Sequence, residues 1–586
     1  MSLTDFEWVS GAEPGPDGRI AYLSDATGRP QPYVDGRLVP VPGSARRCAW
    51  HPGGTKLLVL TDPDGGEAHR LAEVDVDSGE ITWLVAEDGV RCEVGVPYAG
   101  GGSPYSADGK LLAYANNARD PEVFDVFVRD DHGSRMVLRG DDRYLPLGFS
   151  PDSRLLLVLK FHQNADHELF VVDLSDDSVR RITDFAGPAK YLPVAWLPDS
   201  SGIVLCTTQG RDFLGLAALS LDGTLTWLHT PDADVPGAAV SGTRLAWGEN
   251  EHGWTRLFWS QDGEVRPVRG LPDGLAVTEF GYDGHVLRFV PDGRLLVPLA
   301  RADAATELYL ADLDAGTAER LTDFGAGLPD DLVSPTVVHA VSRDGLRIPC
   351  LLYKPHNAVA APVVLSVHGG PEWQAAPSYD PTVQALLAGG IGVLAPNFRG
   401  SSGYGLAFQR LVYGDWGGGD LDDLAAAAAL LADVEWADET RLGVHGASYG
   451  GFAALSCVTR LPGTFKAAVS ECGTSDLLTD IRDCPPTWRR RTKEWIGDPD
   501  DPAQRASLVE RSPITHAERV QAPVLMLHGE NDTRVNPEES ERMYARLKEL
   551  GKPVRLELHP GVGHEVHREG LADTVDLIVG WFQTHL

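Results

Sequence analysis

The stretch GVHGASYGGF, residues 443–452, sets one serine, Ser448, between glycines at the point where an apolar run ends. The pattern Gly-X-Ser-X-Gly suits a sharp turn between a strand and a helix, because glycines on both sides let the two elements pack closely. The pattern alone is weak evidence, since a chain of this length with 64 glycines produces about 0.4 such matches by chance. The role of Ser448 therefore depends on the sequence around it.

Apolar strands alternate with helices on both sides of Ser448, from about residue 331 to the end of the chain. A hairpin turning at Asp344-Gly345 comes first. It is followed by strands such as APVVLSVHG and APVLMLHG and by helices such as DLDDLAAAAALLADV and PEESERMYARLKELG. Fully apolar strands separated by helices indicate a parallel sheet covered on both faces. Residues 329–586 are therefore predicted to form an α/β domain.

The preceding part of the chain, residues 1–328, repeats a turn rich in Ser, Pro, Asp and Gly that leads into an apolar strand. Seven copies begin at residues 15, 51, 106, 150, 197, 241 and 290. Their spacing of about 36 to 55 residues is that of a four-stranded propeller blade. A single blade cannot bury a core alone, so blades stack in a ring. The sequence predicts an N-terminal seven-bladed β-propeller.

Composition limits the classes of partner. The formal net charge of −33 repels phosphate backbones and anionic lipid, so neither nucleic acid nor a membrane is expected as a partner. The first residues, MSLTDFEWVSGAEPGP, lack the features of a signal peptide. The seven cysteines are odd in number and scattered, which favours reduced thiols and a cytoplasmic location. No cofactor is predicted, and a homo-oligomer is left open.

Two polar residues downstream of Ser448 complete a catalytic pattern. A nucleophilic serine needs a base, and the base needs an acid that orients it. Asp532 follows the strand in PVLMLHGENDTRV, and His564 follows the strand in RLELHPGVGHEVH. Taken singly, Asp532 could cap a helix and His564 could lie on the surface. Their order, each after its own strand, is that of an α/β-hydrolase triad, which predicts such a fold for the C-terminal domain.

Two backbone N–H groups are expected to form the oxyanion hole of this site. One belongs to Tyr449, at the start of the helix behind Ser448. The other is predicted to be that of Gly370 in SVHGGPEW, because the loop after the first central strand supplies the second donor in this fold. The segment GHEVH lacks the HExxH spacing, so no metal site is predicted.

The segments HGGP, NFRGSSGYG, GDWGGGDLDDL, GASYGGF and HGENDTRV together resemble the prolyl oligopeptidase family of serine peptidases, over essentially the whole chain. Within the family the chain looks most like the acylaminoacyl-peptidase branch. The resemblance implies that the propeller restricts substrates to short or unfolded peptides. It also implies that Arg534 binds a substrate carbonyl, that Glu67 faces the active site, and that Trp488 or Leu477 walls the primary specificity pocket.

Some of these assignments have plainer alternatives. Glu67 lies in the turn DPDGGEAHRL and could be a solvated turn carboxylate, while Trp488 could be a core aromatic residue. The chain also departs from family patterns. Prolyl oligopeptidase itself uses a tyrosine hydroxyl in its oxyanion hole, whereas here His368 precedes the glycine pair. Few residues precede the first blade, and the paired glutamates of dipeptidyl peptidases are not evident.

The combined prediction is a serine peptidase that hydrolyses short peptides or aminoacyl or acylaminoacyl amides through an acyl-enzyme formed on Ser448. A carboxylesterase and an aminoacyl-amide hydrolase acting on antibiotics such as puromycin would use the same residues. A propeller that only binds partners is disfavoured by the intact triad. The sequence does not decide between a free and an acylated substrate N-terminus.

Overall fold

The computed structural model describes residues 2–63, 65–95, 102–279, 284–566 and 571–586. The chain divides into two compact units. One comprises Phe6–Arg301 and Ala305–Ala326, and the other comprises Ala302–Ala304 and Gly327–Leu586 together with residues 2–5. Among the described residues, no helix is long and apolar enough to cross a membrane.

The first unit contains seven sheets of four antiparallel strands, each built from consecutive strands of the described chain. The strands of the first four sheets are β1 Val9–Pro14, β2 Ile20–Ser24, β3 Gln31–Val34, β4 Arg37–Leu38, β5 Ser44–Trp50, β6 Lys56–Asp62, β7 Arg70–Asp75, β8 Ile81–Val85, β9 Cys92–Glu93, β10 Leu112–Asn116, β11 Asp125–Asp130, β12 Gly133–Leu138, β13 Arg143–Phe149, β14 Leu155–Gln163, β15 Asp166–Asp173 and β16 Ser178–Arg181. Those of the last three are β17 Tyr191–Trp196, β18 Gly202–Thr207, β19 Gly215–Ser220, β20 Leu225–His229, β21 Gly237–Ser241, β22 Arg244–Glu251, β23 Trp254–Gln261, β24 Glu264–Pro267, β25 Arg288–Phe289, β26 Leu295–Arg301, β27 Ala304–Asp312 and β28 Thr317–Arg320.

All seven repeated turns fall between the first and second strands of a sheet. In the fourth blade, side-chain hydrogen bonds hold the turn together. Ser150 Oγ donates to Asp152 Oδ1 at 2.6 Å and accepts the Leu155 N–H at 2.9 Å. Short hydroxyl and carboxylate side chains that bond their own backbone favour turns over continued strands. The prediction of a seven-bladed β-propeller is confirmed.

Neighbouring blades share their apolar side chains. Ala21 and Val34 of the first blade pack in one buried cluster with Leu57 and Val59 of the second. Because each sheet buries one face against the next, the core of this unit runs around the ring.

The second unit holds one eight-stranded sheet in the order β29-β30-β32-β31-β33-β34-β35-β36. The strands are β29 Thr336–Val341, β30 Arg347–Tyr353, β31 Ala361–Val367, β32 Gly392–Pro396, β33 Ala437–Ala447, β34 Ala467–Glu471, β35 Val524–Gly529 and β36 Val554–His559. The helices are α1 Pro381–Ala388, α2 Leu406–Arg410, α3 Gly419–Leu430, α4 Tyr449–Arg460, α5 Leu477–Asp483, α6 Arg489–Trp495, α7 Pro502–Arg511, α8 Glu538–Glu549 and α9 Leu571–His585, with 3-10 turns at Leu431–Asp433, Pro486–Trp488 and Pro513–Arg519.

The six strands β31 to β36 are parallel, whereas β29 and β30 form the predicted antiparallel hairpin at one edge. The central strands are buried on both faces, and Val444, Phe452 and Met526 are fully enclosed in the core. Since parallel strands end at the same edge of a sheet, the loops after β31, β33, β34, β35 and β36 meet there. The prediction of an α/β-hydrolase fold is confirmed.

Candidate active site

Ser448 occupies a strained turn between β33 and α4, with φ 59° and ψ −121°. Its N–H donates to the Glu471 carbonyl at 2.8 Å. The turn requires glycine on both sides. A Cβ on Gly450 would lie 2.1 Å from the Val367 carbonyl oxygen, and one on Gly446 would lie 2.5 Å from the Gly450 backbone. Non-glycine residues in this backbone region cost conformational energy and persist where the surroundings hold them, as at functional sites.

Asp532 and His564 are brought together from the loops after β35 and β36. His564 Nδ1 lies 2.7 Å from Asp532 Oδ2. The other carboxylate oxygen accepts the N–H groups of Arg534 at 2.8 Å and Val535 at 3.0 Å. Burial alone would raise the pKa of Asp532, but hydrogen bonds with His528 and His564 hold it well below its ordinary value. The carboxylate therefore stays charged and can hold a proton on Nδ1 of His564.

His528 also contacts Asp532, and the sequence did not predict this contact. It is fully buried at the end of β35, with Nε2 3.2 Å from Asp532 Oδ2 and 3.0 Å from the Val535 carbonyl oxygen. Its Nδ1 lies 2.7 Å from Ser540 Oγ. The only sequence signal was a histidine at a strand end, four residues before Asp532.

The end of β34 connects the serine turn with the aspartate–histidine pair. Glu471 accepts the Ser448 N–H, and the next residue, Cys472, bonds the Leu527 carbonyl through its N–H at 2.8 Å. The Cys472 thiol donates to the His564 carbonyl at 3.5 Å. Ser448 Oγ is not itself hydrogen-bonded to His564. Such bonds are often long or misaligned in a free enzyme and tighten when substrate binds.

Two N–H groups beside Ser448 are without a partner among the described residues, namely those of Tyr449 and Gly370. The loop that carries Gly370 reaches the serine, because a Cβ on Gly369 would lie 3.6 Å from Ser448 Cβ. Tyr449 begins α4, so its N–H belongs to the positive end of a helix dipole. Free donors at this position suit a developing oxyanion.

His368 anchors the loop that carries Gly370. Its Nε2 lies 2.8 Å from Ser401 Oγ, and its ring stacks on Phe398 with centroids 4.5 Å apart. Burial lowers the pKa of His368 to about 4, so the imidazole is neutral at neutral pH. The segments SVHGGPEW and NFRGSSGYG are therefore in contact at His368.

Two buried side-chain pairs, each with one carboxylate, lie beside the serine turn. Neither pair was predicted from the sequence. The Tyr449 hydroxyl donates to Asp420 Oδ2, and burial raises the pKa of Asp420 to about 6. His445 Nε2 lies 2.6 Å from Glu471 Oε1. Burial works against the charge on His445, yet the Glu471 carboxylate raises its pKa overall. Neither partner is close to the other in sequence, so no local pattern points to the pairs.

The residues predicted to contact substrate in this unit have different surroundings. Arg534 is partly exposed in the loop after Asp532. Trp488 is also partly exposed, with the Arg491 guanidinium 4.9 Å from its ring centroid. Leu477 is completely buried in the hydrophobic core and offers no exposed surface. The substrate roles of these residues stay predictions.

Glu67, in the propeller unit, adopts a left-handed backbone with φ 59°. Its carboxylate is ion-paired with Arg91 at 2.9 Å, and Arg91 also pairs with Glu93 at 2.9 Å. A substrate amine would therefore compete with a guanidinium that is already in place. The role of Glu67 toward substrate stays a prediction.

Fold and site together define a class of protein. A serine on a strand–turn–helix, followed along the chain by an aspartate and a histidine at the ends of later strands, is the arrangement of α/β-hydrolases that use a serine nucleophile. Residues 377–586 match the prolyl oligopeptidase family. The chain therefore carries a prolyl oligopeptidase family domain and is a serine peptidase, as the motifs predicted.

Relatives match over most of the chain. The chain is 28% identical over 539 residues to dipeptidyl aminopeptidase BIII of Pseudoxanthomonas mexicana, covering 89% of this chain and 77% of that protein. A Mycobacterium tuberculosis puromycin-hydrolyzing peptidase matches with TM-score 0.82 at 21% identity, over 100% of this chain and 96% of that one. The uncomplexed acylaminoacyl peptidase of Pyrococcus horikoshii matches with TM-score 0.74 at 21% identity, over 100% and 97%. The two structural matches support the fold.

Proposed function

We propose that Ser448, His564 and Asp532 form the catalytic triad of a peptidase that works through an acyl-enzyme. The observation that carries the proposal is the 2.7 Å contact of His564 Nδ1 with Asp532 Oδ2, beside a serine held at φ 59°. His564 Nε2 takes the proton of Ser448 Oγ as the oxygen attacks the substrate carbonyl. The N–H groups of Tyr449 and Gly370 stabilise the resulting oxyanion.

Collapse of the tetrahedral intermediate breaks the scissile C–N bond, and His564 gives its proton to the leaving amine. Water then attacks the acyl-serine, with His564 again as the base, and releases the acid product. Asp532 stays ionised throughout and stabilises the imidazolium that forms in each half-reaction.

The substrates we propose are short peptides or aminoacyl and acylaminoacyl amides. Support comes from relatives named as a dipeptidyl aminopeptidase, a puromycin-hydrolyzing peptidase and an acylaminoacyl peptidase. Arg534 would bind a substrate carbonyl. Of the two residues proposed for the pocket beside the scissile bond, Trp488 is partly exposed and could border it, whereas Leu477 is fully enclosed in the core. Cytoplasmic action is supported by seven cysteines that are all free and buried.

Substitution of the nucleophile tests the proposal. Ser448→Ala should abolish hydrolysis of aminoacyl p-nitroanilides and labelling by a fluorophosphonate, because the hydroxyl is the attacking group. The matched control is Ser456→Ala, because Ser456 is a buried serine of α4 whose hydroxyl has no hydrogen-bond partner among the described residues. Hydrolysis by Ser448→Ala near the wild-type rate would refute the triad.

A substrate panel separates the candidate activities. Free-amine, acetylated and doubly blocked peptides of one sequence, the matching ester, and puromycin are compared by kcat/KM. A preference for the ester alone, with no cleavage of any amide, would contradict a peptidase and indicate a carboxylesterase.

A further inference from the structure

A thiol, a carboxylate and an imidazole meet at the ends of three neighbouring strands, β34, β35 and β36. Cys472 Sγ, a carboxylate oxygen of Asp532 and a ring nitrogen of His564 all lie within 4.8 Å of one another. Cysteine, carboxylate and histidine are the donors that zinc takes in proteins, and thiolate favours soft cations over magnesium or calcium. The cluster thus has the donor set of a site for a thiophilic cation.

The thiol of Cys472 is fixed in this cluster by its backbone. Cys472 has φ 47°, in the left-handed region, and is 1% exposed. Its N–H is tied to Leu527 at 2.8 Å, and its thiol contacts the His564 carbonyl at 3.5 Å. A strained residue held by several contacts is preorganised, so a cation would recruit donors that are already assembled.

We propose that a thiophilic divalent cation, Zn²⁺ or Cd²⁺, binds to Cys472, Asp532 and His564 and reversibly inhibits the enzyme. The inhibition rests on the proposed function of His564 as the base, whereas the binding does not.

The proton balance explains the inhibition. Binding breaks the S–H bond of Cys472, forms a sulfur–metal bond and releases that proton to solvent. A neutral His564 that carries its proton on Nδ1 must move it to Nε2 so that Nδ1 can bind the cation. The imidazole remains neutral, but Nε2 can no longer accept the proton of Ser448. One proton is therefore released for each cation bound.

Binding and inhibition are measured separately with Cd²⁺ as the probe. Ultraviolet absorption of the cadmium–thiolate bond and calorimetry report binding, and rates relative to each protein's own rate without cation report inhibition. The proteins are wild type, Cys472→Ser, Cys472→Ala, Ser448→Ala and Cys484→Ser. Cys484 is the matched control, because it is another buried thiol that contacts a backbone carbonyl, that of Ile481 at 3.2 Å.

The expected result is one Cd²⁺ bound with a thiolate band in wild type, Ser448→Ala and Cys484→Ser. Both Cys472 variants should lose the band and need at least about tenfold more Cd²⁺ for half-inhibition. Equal Cd²⁺ binding and inhibition in wild type and both Cys472 variants would overturn the proposal. Peptide hydrolysis without Cys472-dependent binding would reject the cation site alone, whereas Cys472-dependent binding without peptide hydrolysis would reject the proposed function alone.

Discussion

The carboxylate of Asp532 contacts several donors, and in the proposed triad these contacts would fix the acid that orients the base. Two backbone N–H groups hold one oxygen, while His528 and His564 approach the other. Since His528 is fully buried, its position is set by packing and does not depend on substrate. We therefore expect His528 to be a positioning residue that acts through Asp532.

His528→Gln should lower kcat by about tenfold with KM little changed, because the base is oriented less well but substrate contacts remain. Asp532→Asn should be far more severe, by about 10⁴, since it favours the wrong tautomer of His564. Steady-state kinetics of the purified variants measure both. His516→Gln, at a buried histidine bound to the Glu510 carbonyl, is the control. Equal kcat in His528→Gln and wild type would contradict the positioning role.

The strand–turn–helix around Ser448 depends on close backbone approach at Gly450. Gly450→Ala should lower the free energy of unfolding by about 1–3 kcal/mol and reduce activity, because its Cβ cannot fit beside the Val367 carbonyl. A Cβ on Gly580, inside α9, would have nothing within 4 Å. Gly580→Ala should therefore leave activity intact and raise stability by up to about 1 kcal/mol. Urea unfolding and kinetics compare the two, and equal effects would refute the steric argument.

Asp420, at the start of α3, gives a pH dependence of known sign. Its pKa is raised from 3.8 to about 6 by burial, so the folded protein binds this proton more tightly than the unfolded chain does. The resulting stabilisation is complete below about pH 4 and is lost as pH rises through about 6. Relative to Asp420→Asn, wild type should lose up to about 3 kcal/mol of unfolding free energy over that range. Urea unfolding of both proteins across the range tests this, and a difference independent of pH would contradict it.

Local sequence patterns predicted most elements but not their partners. The seven turns, the β29–β30 hairpin and the strands that carry Ser448, Asp532 and His564 follow from short-range periodicity and turn chemistry. Strand β34 was missed, because AAVSE is short and rich in small residues and has no clear period. The pairs His445–Glu471 and Glu67–Arg91 were also missed, since each forms between residues 24 or more positions apart.

For the molecule as a whole, the family resemblance implies a limit on substrate size. Peptides that share one N-terminal sequence should be cleaved with kcat/KM that falls as length grows from a few residues to several tens. A small folded domain carrying the same N-terminal sequence should resist cleavage. Mass spectrometry of the products gives the cleavage rate of each substrate. Substrates with a substituted residue at the cleavage site are the control. Equal kcat/KM for the short peptides and the folded domain would contradict the limit.

The way the propeller ring closes has a mechanical consequence. No described strand of the first blade pairs with one of the last, because every sheet is built from consecutive strands. The two blades meet through a side-chain cluster that includes Val9, Tyr22 and Leu296, and through the bond from Glu7 N–H to the Phe324 carbonyl at 3.1 Å. Force applied to the two ends of this unit would load that joint directly. We expect the contacts between the first and last blades to break first, while the hydrogen bonds between the strands of each blade remain intact.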